Sequence, residues 1–275
     1  MKVEHVDLFL KYAKIAILVS IVISFILRWF NPEWWTDLTY YYDFVAHFPE
    51  MYSTETWGSY AVLYLPYFAA LFWPATFLPE QVSFIMFTAI NIPCTLKICE
   101  DSKKISPSFA VGTHMLLFAG SMLVGSCANV ETLLLMVHVW AYVKIKQNHT
   151  IPIWLALLLS VASFKVYNLL FFVLYAFEVP RKDLLKAFAI LLLTQVGFNL
   201  PFILADPRLR HPSFILEVLT HPRLAMTEPL MWTIRTLFTV SVLGIVLRIR
   251  EALQQRHTAI TPPPPISLFL GTNRS

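Results

Sequence analysis

The stretch YAKIAILVSIVISFILRWF, residues Tyr12–Phe30, decides the fold class. A helix rises about 1.5 Å per residue, so this run is long enough to cross the roughly 30 Å hydrocarbon core of a bilayer. Lys2, Lys11 and Lys14 precede its apolar centre, Ile15–Leu27, and Arg28, Trp29 and Phe30 follow it. No small-residue cleavage site follows, so the run reads as a retained signal-anchor helix. Working outward, further apolar runs occupy Gln81–Ile98, Ser108–Ser126, Asn129–Lys146, Pro152–Phe164, Val166–Val179, Leu184–Leu204 and Pro229–Leu247. Pro152–Phe164 and Val166–Val179 are short and tightly joined. Composition agrees: charged residues are 14% and hydrophobic residues 57% of 275, where an ordinary soluble chain carries about 25% charge. So few charges cannot cover the surface of a soluble domain. Disorder, a disulfide scaffold and a nucleic-acid binder are excluded on the same ground. The reading is an all-α, polytopic membrane helix bundle.

One segment makes the span count ambiguous. Tyr60–Pro79 is apolar but broken by Pro66, Pro74 and Pro79, and proline costs about 3 kcal/mol in a helix interior. It reads either as a kinked ninth span or as a segment that enters and returns. Charge decides. Residues Asn31–Gly58 hold Glu33, Asp37, Asp43, Glu50 and Glu55 with no Lys or Arg, and so form an outward loop. If Tyr60–Pro79 does not cross, 15 of the 21 basic residues fall on the cytoplasmic side, as the positive-inside rule requires. The expectation is therefore eight spans plus one Pro-broken partial segment over residues 1–256, with both termini cytoplasmic. A Pro-rich cytoplasmic tail, 257–275, contains Pro262–Pro265. The sequon Asn148-His149-Thr150 falls on the cytoplasmic side and is set aside as a chance triplet. Cys94, Cys99 and Cys127 show no metal-ligand spacing and read as core thiols.

The same topology gathers a polar set on the outward face. It holds the acidic loop, the turn Ser126–Glu131, Lys165 with Tyr167, and the loop Ala205–Glu228 with Asp206, Arg208, Arg210, His211, His221 and Arg223. Arg28 and Arg235 lie near outward helix ends. Charge at membrane depth is costly and so faces a cavity or a headgroup. Each member also has a plainer reading. Arg28 beside Trp29 suits an interfacial anchor, Trp34–Trp35 and Tyr40–Tyr42 suit an aromatic belt, and Asp43 suits a solvated loop acid. His138 reads as a hydrogen-bonded core histidine, and Glu131 starts a helix, where the dipole favours a carboxylate. No GxGxxG, P-loop, GxSxG or HExxH motif is present.

Three stretches carry a resemblance. The first is Tyr42-Asp43-Phe44, shortly after the first helix. The second is Tyr64-Leu65-Pro66-Tyr67-Phe68-Ala69-Ala70-Leu71-Phe72-Trp73-Pro74. The third is Ala128-Asn129-Val130-Glu131 followed by Phe164-Lys165-Val166-Tyr167-Asn168-Leu169-Leu170. In order and spacing, over about residues 12–205, they resemble the GT-C class of integral-membrane glycosyltransferases. They are most similar to the polyprenol-phosphate-mannose-dependent mannosyltransferases of glycosyltransferase family 87. The chain departs from that pattern with one Pro near Tyr64 where the family has two, Ala128 in place of Gly, and Asn168 in place of Pro. It is also shorter than typical members.

The resemblance implies a GT-C-like bundle that moves a sugar, mannose first, from a polyprenyl-phosphate donor to a lipid or glycan acceptor, with inversion. The site would face outward from a multi-pass protein of the cell membrane or endoplasmic reticulum membrane. Asp43 would act as general base on the acceptor hydroxyl. Lys165, Arg208, Arg210, His211, Arg223 and Arg235 would bind the donor phosphate, and Asn129, Glu131 and Tyr167 the sugar. It implies no metal and no cofactor, and membrane lipids but no nucleic acid as partners. Two alternatives stay open. An inactive GT-C-like partner subunit fits the short chain, and a small-molecule or lipid transporter is the other, although no internal repeat is visible.

Overall fold

A computed structural model describes residues 3–32, 36–48, 66–123, 130–163 and 171–211. Among these residues all regular structure is helical. In chain order the α-helices are α1 (Val3–Trp29), α2 (Thr36–Ala46), α3 (Phe68–Phe72), α4 (Glu80–Ile105), α5 (Pro107–Leu123), α6 (Glu131–Asn148), α7 (Ile153–Ala162), α8 (Phe171–Tyr175) and α9 (Arg181–Ala205). Two 3-10 turns, Trp73–Phe77 and Pro207–Arg210, follow α3 and α9.

Three helices among the described residues are long and apolar enough to cross a bilayer: His5–Trp29 within α1, α4, and α9. They correspond to the runs expected at Tyr12–Phe30, Gln81–Ile98 and Leu184–Leu204. The described residues of the other runs also hold helices, none of which meets the same length and hydropathy. Ser108–Ser126 appears as the 17 residues of α5 and Asn129–Lys146 as the 18 of α6. Pro152–Phe164 appears as the 10 residues of α7, and the described part of Val166–Val179 holds the 5 of α8. The run Pro229–Leu247 and the tail from 257 lie outside the described residues.

Two apolar clusters lie at opposite ends of the bundle. The first joins Leu38, Tyr41 and Phe44 of α2, Phe68 and Phe72 of α3, Phe84 of α4, Val130 and Leu134 at the start of α6, Ala162 at the end of α7, and Leu209. Phe25 of α1 stacks on Phe84 at a centroid distance of 5.3 Å. The second cluster takes the other end of the same helices: Ile98 and Ile105 of α4, Tyr142 and Ile145 of α6, and Leu155 of α7. Tyr175 of α8 and Ala187 and Leu191 of α9 complete it. Thus α4 and α6 run from the first cluster to the second, and α7 and α9 run back. A small third cluster, Ile17, Ile21 and Cys99, fastens α1 to α4.

Lys97, Lys104 and Lys146 sit with the second cluster. Asp101, with a side chain only 2% exposed, pairs with Lys97 and Lys104 at 3.0 and 2.6 Å. Lys146 donates to the Ile105 carbonyl at the end of α4. These contacts explain why α4 continues two turns past Ile98, where the hydropathy run stops. Lys97, Asp101 and Lys104 recur at helical spacing, and the pairing removes a buried carboxylate's cost. α6 ends at His149, whose left-handed backbone (φ 52°) lets its N–H reach the Ile145 carbonyl. Cys94 and Cys99 are buried free thiols, as expected, and Cys127 lies outside the described residues.

The acidic stretch after α1 departs from the loop expected there. Within it, α2 is an 11-residue helix. Its apolar residues Leu38, Tyr41 and Phe44 repeat every third position and are all at most 1% exposed. Burying that stripe stabilises helix despite the flanking acids. Residues 66–79 do not form one long helix either. Pro74 ends α3 by opening the 3-10 turn, and Pro79 starts α4.

Candidate functional site

The first cluster joins the elements that carry the described candidate residues: α2 with Asp43, the start of α6 with Glu131, and the turn after α9 with Arg208 and Arg210. α2 carries Asp43 on a helix whose neighbours are locked. The Tyr41 hydroxyl accepts from the Val130 N–H at 3.4 Å, which ties α2 to the start of α6, where Glu131 is the first, exposed residue. The Tyr41 ring lies edge-on to Phe68 and Phe72 at 5.2 and 5.0 Å. The Tyr42 hydroxyl lies 2.9 Å from the Ala75 carbonyl, 2.7 Å from the Leu78 carbonyl and 2.8 Å from Ser83 Oγ. Burial lifts the Tyr42 phenol above the usual tyrosine range, the bond to Ser83 opposes that rise, and the charge of Glu80 adds to it. Tyr42 therefore stays a neutral hydroxyl that pins α2 to the start of α4.

Asp43 itself is half-buried. Its backbone carbonyl accepts from the His47 N–H at 3.1 Å and from His47 Nδ1 at 2.7 Å, so His47 carries its proton on Nδ1. The Asp43 carboxylate lies close enough to Glu80 for the two charges to repel. Glu80 was not singled out from the sequence. It opens α4, where the helix dipole favours an acid.

The predicted phosphate clamp is only partly within the described residues. Arg208 and Arg210 share the 3-10 turn after α9, and Leu209 between them enters the same cluster as α2. Phe48 meets Phe202 edge-on at 5.8 Å, joining the two elements again. Both guanidiniums have structural partners. Arg208 makes a two-pronged contact with the buried Asp206, Nε to Oδ1 at 3.0 Å and Nη2 to Oδ2 at 2.9 Å. Asp206 Oδ1 also accepts the Arg208 N–H, capping the turn. Arg210 donates to the carbonyls of Ile203 and Leu204 at the negative end of α9. His211 is exposed. Among the described residues no ion pair joins Asp43 to Arg208, Arg210 or His211. Lys165, Arg223, Arg235, Asn129 and Tyr167 lie outside the described residues.

Between α2, α3 and the end of α9 lies an open groove of about 190 Å³ lined by Val45, Phe48, Ala69, Ala70, Trp73, Pro201 and Phe202. Its walls are almost wholly apolar. A cavity of about 150 Å³ admits a benzene-sized hydrocarbon, so this groove has room for a short length of hydrocarbon chain and offers a sugar no hydrogen bonds.

A polar network lies behind the groove. Tyr67 Oη donates toward the Ser160 and Val161 carbonyls at 3.2 and 3.0 Å, and the Tyr67 N–H meets Asn199 Oδ1 at 3.3 Å. Gln195 Nε2 donates to the Ser160 carbonyl at 2.6 Å, and Asn199 Nδ2 to the Gln195 carbonyl at 2.8 Å. Gln195 and Asn199 passed unnoticed because they sit in a strongly apolar run. Their i, i+4 spacing, which puts two amides on one face of a membrane helix, was the available signal. Deeper in the bundle, His138 is fully buried with Nδ1 2.9 Å from the Tyr175 hydroxyl, the core role expected of it. Among the described residues no group of three or more His, Cys, Asp or Glu side chains could hold a metal ion. No protein-family model, no curated protein and no solved structure matches the chain.

Proposed function

We propose that this chain is an integral-membrane glycosyltransferase with a GT-C-like bundle of eight spans plus a partial segment at residues 60–79. It moves a sugar, mannose by the family resemblance, from a polyprenyl-phosphate donor to a lipid or glycan acceptor at the acidic-loop face. The observation that carries the reading is the gathering of α2, residues 66–79, the start of α6 and the Asp206–Arg210 turn on one apolar cluster. Asp43 is half-buried on α2, and Val45 and Phe48 of the same segment line an apolar groove suited to a hydrocarbon chain. Supporting the topology, α1 meets that cluster through Phe25, residues 66–77 pack within it, and α4 leaves from it. The segment between α1 and α4 thus begins and ends at one side.

In this mechanism the Asp43 carboxylate takes the proton of the acceptor hydroxyl as its oxygen attacks the anomeric carbon. The bond from that carbon to the donor phosphate oxygen breaks, and the polyprenyl phosphate leaves with the electron pair and its negative charge. Cations near the leaving phosphate stabilise the transition state. Lys165, Arg223 and Arg235 fill that role together with Arg210, whose guanidinium is exposed at the helix end. Arg208 acts mainly by holding the turn through Asp206.

A second reading rests on the same turn. With Arg208 engaged by Asp206 and Arg210 by the end of α9, a chain of this architecture also suits a non-catalytic partner subunit. The experiment that separates the two is an assay of the purified protein with radiolabelled polyprenyl-phosphate sugars and a panel of acceptors. Transfer of label supports the enzyme, and none with any donor supports the partner subunit.

A further inference from the structure

At the lysine-rich end of the bundle, Lys14 and Lys103 are neighbours. Ile17 of α1 and Cys99 of α4 pack in one cluster while Phe25 stacks on Phe84, so the two helices run in opposite directions and Lys14, one turn before Ile17, and Lys103, one turn after Cys99, converge. Lys97 and Lys104 are engaged by Asp101, and Lys146 by the Ile105 carbonyl. Neither Lys14 nor Lys103 has an ion pair among the described residues. The charge of Glu100 falls on Lys104.

Two further features make the place suited to an anion. α5 begins here, with Ser106 Oγ accepting the Phe109 N–H, so the positive end of the α5 dipole faces the same region. The His114 ring bonds back to the Ala110 carbonyl through Nδ1 at 2.8 Å, which draws it toward that helix start. Its Nε2 is buried without a hydrogen-bond partner. Further along α1 and α5, which pack together, Ile15, Val19, Met115 and Phe118 are exposed apolar side chains. A free phosphate has no use for them, whereas a lipid's acyl chains do.

We propose that Lys14 and Lys103, at the start of α5, bind the phosphate of an anionic membrane phospholipid whose acyl chains lie along the exposed apolar faces of α1 and α5. The site is at the opposite end of the bundle from Asp43 and does not depend on the sugar-transfer reading. Anionic lipid is drawn to basic groups at helix ends, and each well-placed Lys strengthens binding about fivefold.

The test is native mass spectrometry of the purified full chain, released from mixed micelles containing equal phosphatidylglycerol and phosphatidylcholine. Wild type should retain phosphatidylglycerol selectively, and Lys14→Ala/Lys103→Ala should lower that retention by roughly tenfold or more. Lys14→Arg/Lys103→Arg should keep it, which separates lost charge from lost fold, and Lys182→Ala/Lys186→Ala should leave it unchanged. Equal retention of both lipids by wild type, or undiminished retention in the Ala pair, overturns the proposal. So does an Lys182→Ala/Lys186→Ala pair that loses as much, or an Arg pair that loses it while remaining folded. A thermal-shift arm with inorganic phosphate distinguishes the source of the anion. Stabilisation by phosphatidylglycerol alone supports the lipid site, and equal stabilisation by millimolar phosphate contradicts it.

Discussion

Replacing Tyr67 with Phe removes one hydroxyl from the network that holds residues 66–77 against α7 and α9. Tyr67 is 3% exposed, and its ring keeps its contact with Phe198 at 5.4 Å, so packing is unchanged. The hydroxyl proton is shared between the Ser160 and Val161 carbonyls. Ser160 keeps a partner, because Gln195 Nε2 donates to it at 2.6 Å. The net loss is therefore one donor to Val161 and the long 3.3 Å contact from Gln195 to the phenol oxygen. A hydrogen bond contributes about 0.5–1.5 kcal/mol in soluble proteins, and polar pairs in a membrane protein average about 0.6 with a maximum near 1.7. Tyr67→Phe should destabilise by about 1 kcal/mol. Its coupling to Gln195→Leu should be roughly 0.5 kcal/mol, because their direct contact is long. Reversible unfolding in mixed micelles, run as a double-mutant cycle, measures both quantities. A loss under about 0.3 kcal/mol would show that the hydroxyl is solvated in the bilayer-exposed protein; a loss above about 3 kcal/mol would show that it supports more than these bonds.

The remaining predictions concern the two ends of the bundle. Because Asp101 is buried while Lys97 and Lys104 are 40% and 51% exposed, either lysine alone should be replaceable by Ala at small cost. The double replacement should lower Tm by more than the sum of the singles, since it leaves a buried carboxylate unpaired; strict additivity in thermal melts would refute this. Single cysteines at positions 103 and 182 should react with an impermeant maleimide from one side of sealed vesicles, and a cysteine at 43 from the other. Labelling of 43 and 103 from the same side would reverse the topology. Asp206→Asn should loosen the turn that carries Arg208, by up to about 3 kcal/mol because it breaks a two-pronged contact to a buried acid. Denaturation of the variant in detergent checks it, and an unchanged midpoint would mean that the turn is held by Leu209 alone.

Hydropathy located the long helices because α1, α4 and α9 need only length and apolar content to be recognised. It misplaced the end of α4, since Lys97, Asp101 and Lys104 look like a loop until they are seen to pair on one helical face. It missed α2 for a related reason. The acids of that stretch dominate its charge, while the stripe Leu38, Tyr41 and Phe44 that makes it a helix occupies few positions. The three prolines of residues 60–79 announced a break but could not show that α3 and its 3-10 turn would pack beneath α2. At the candidate site, the pair Asp43-Phe44 singled out a position whose Phe44 is driven into the core at 1% exposure. The engagement of Arg208 and Arg210 was not legible, because their partners are one buried acid and two main-chain carbonyls, and a sequence does not display carbonyls. Glu80 was hidden by distance along the chain: it faces Asp43 only because Tyr42 fastens α2 to the start of α4.

The central claim is that Asp43 is the base of a sugar transfer. Its most direct test compares wild type with Asp43→Asn in the radiolabelled polyprenyl-phosphate sugar assay, with donor binding measured alongside. Asn keeps the size of Asp but cannot take the acceptor's proton, and a positioned base contributes about 10²–10⁴-fold to rate. The account predicts that turnover falls by at least about a hundredfold while donor affinity holds, because the phosphate is bound by other residues. Full activity in Asp43→Asn contradicts it, and if Asp37→Asn is inactive instead, the base lies six residues earlier in the chain.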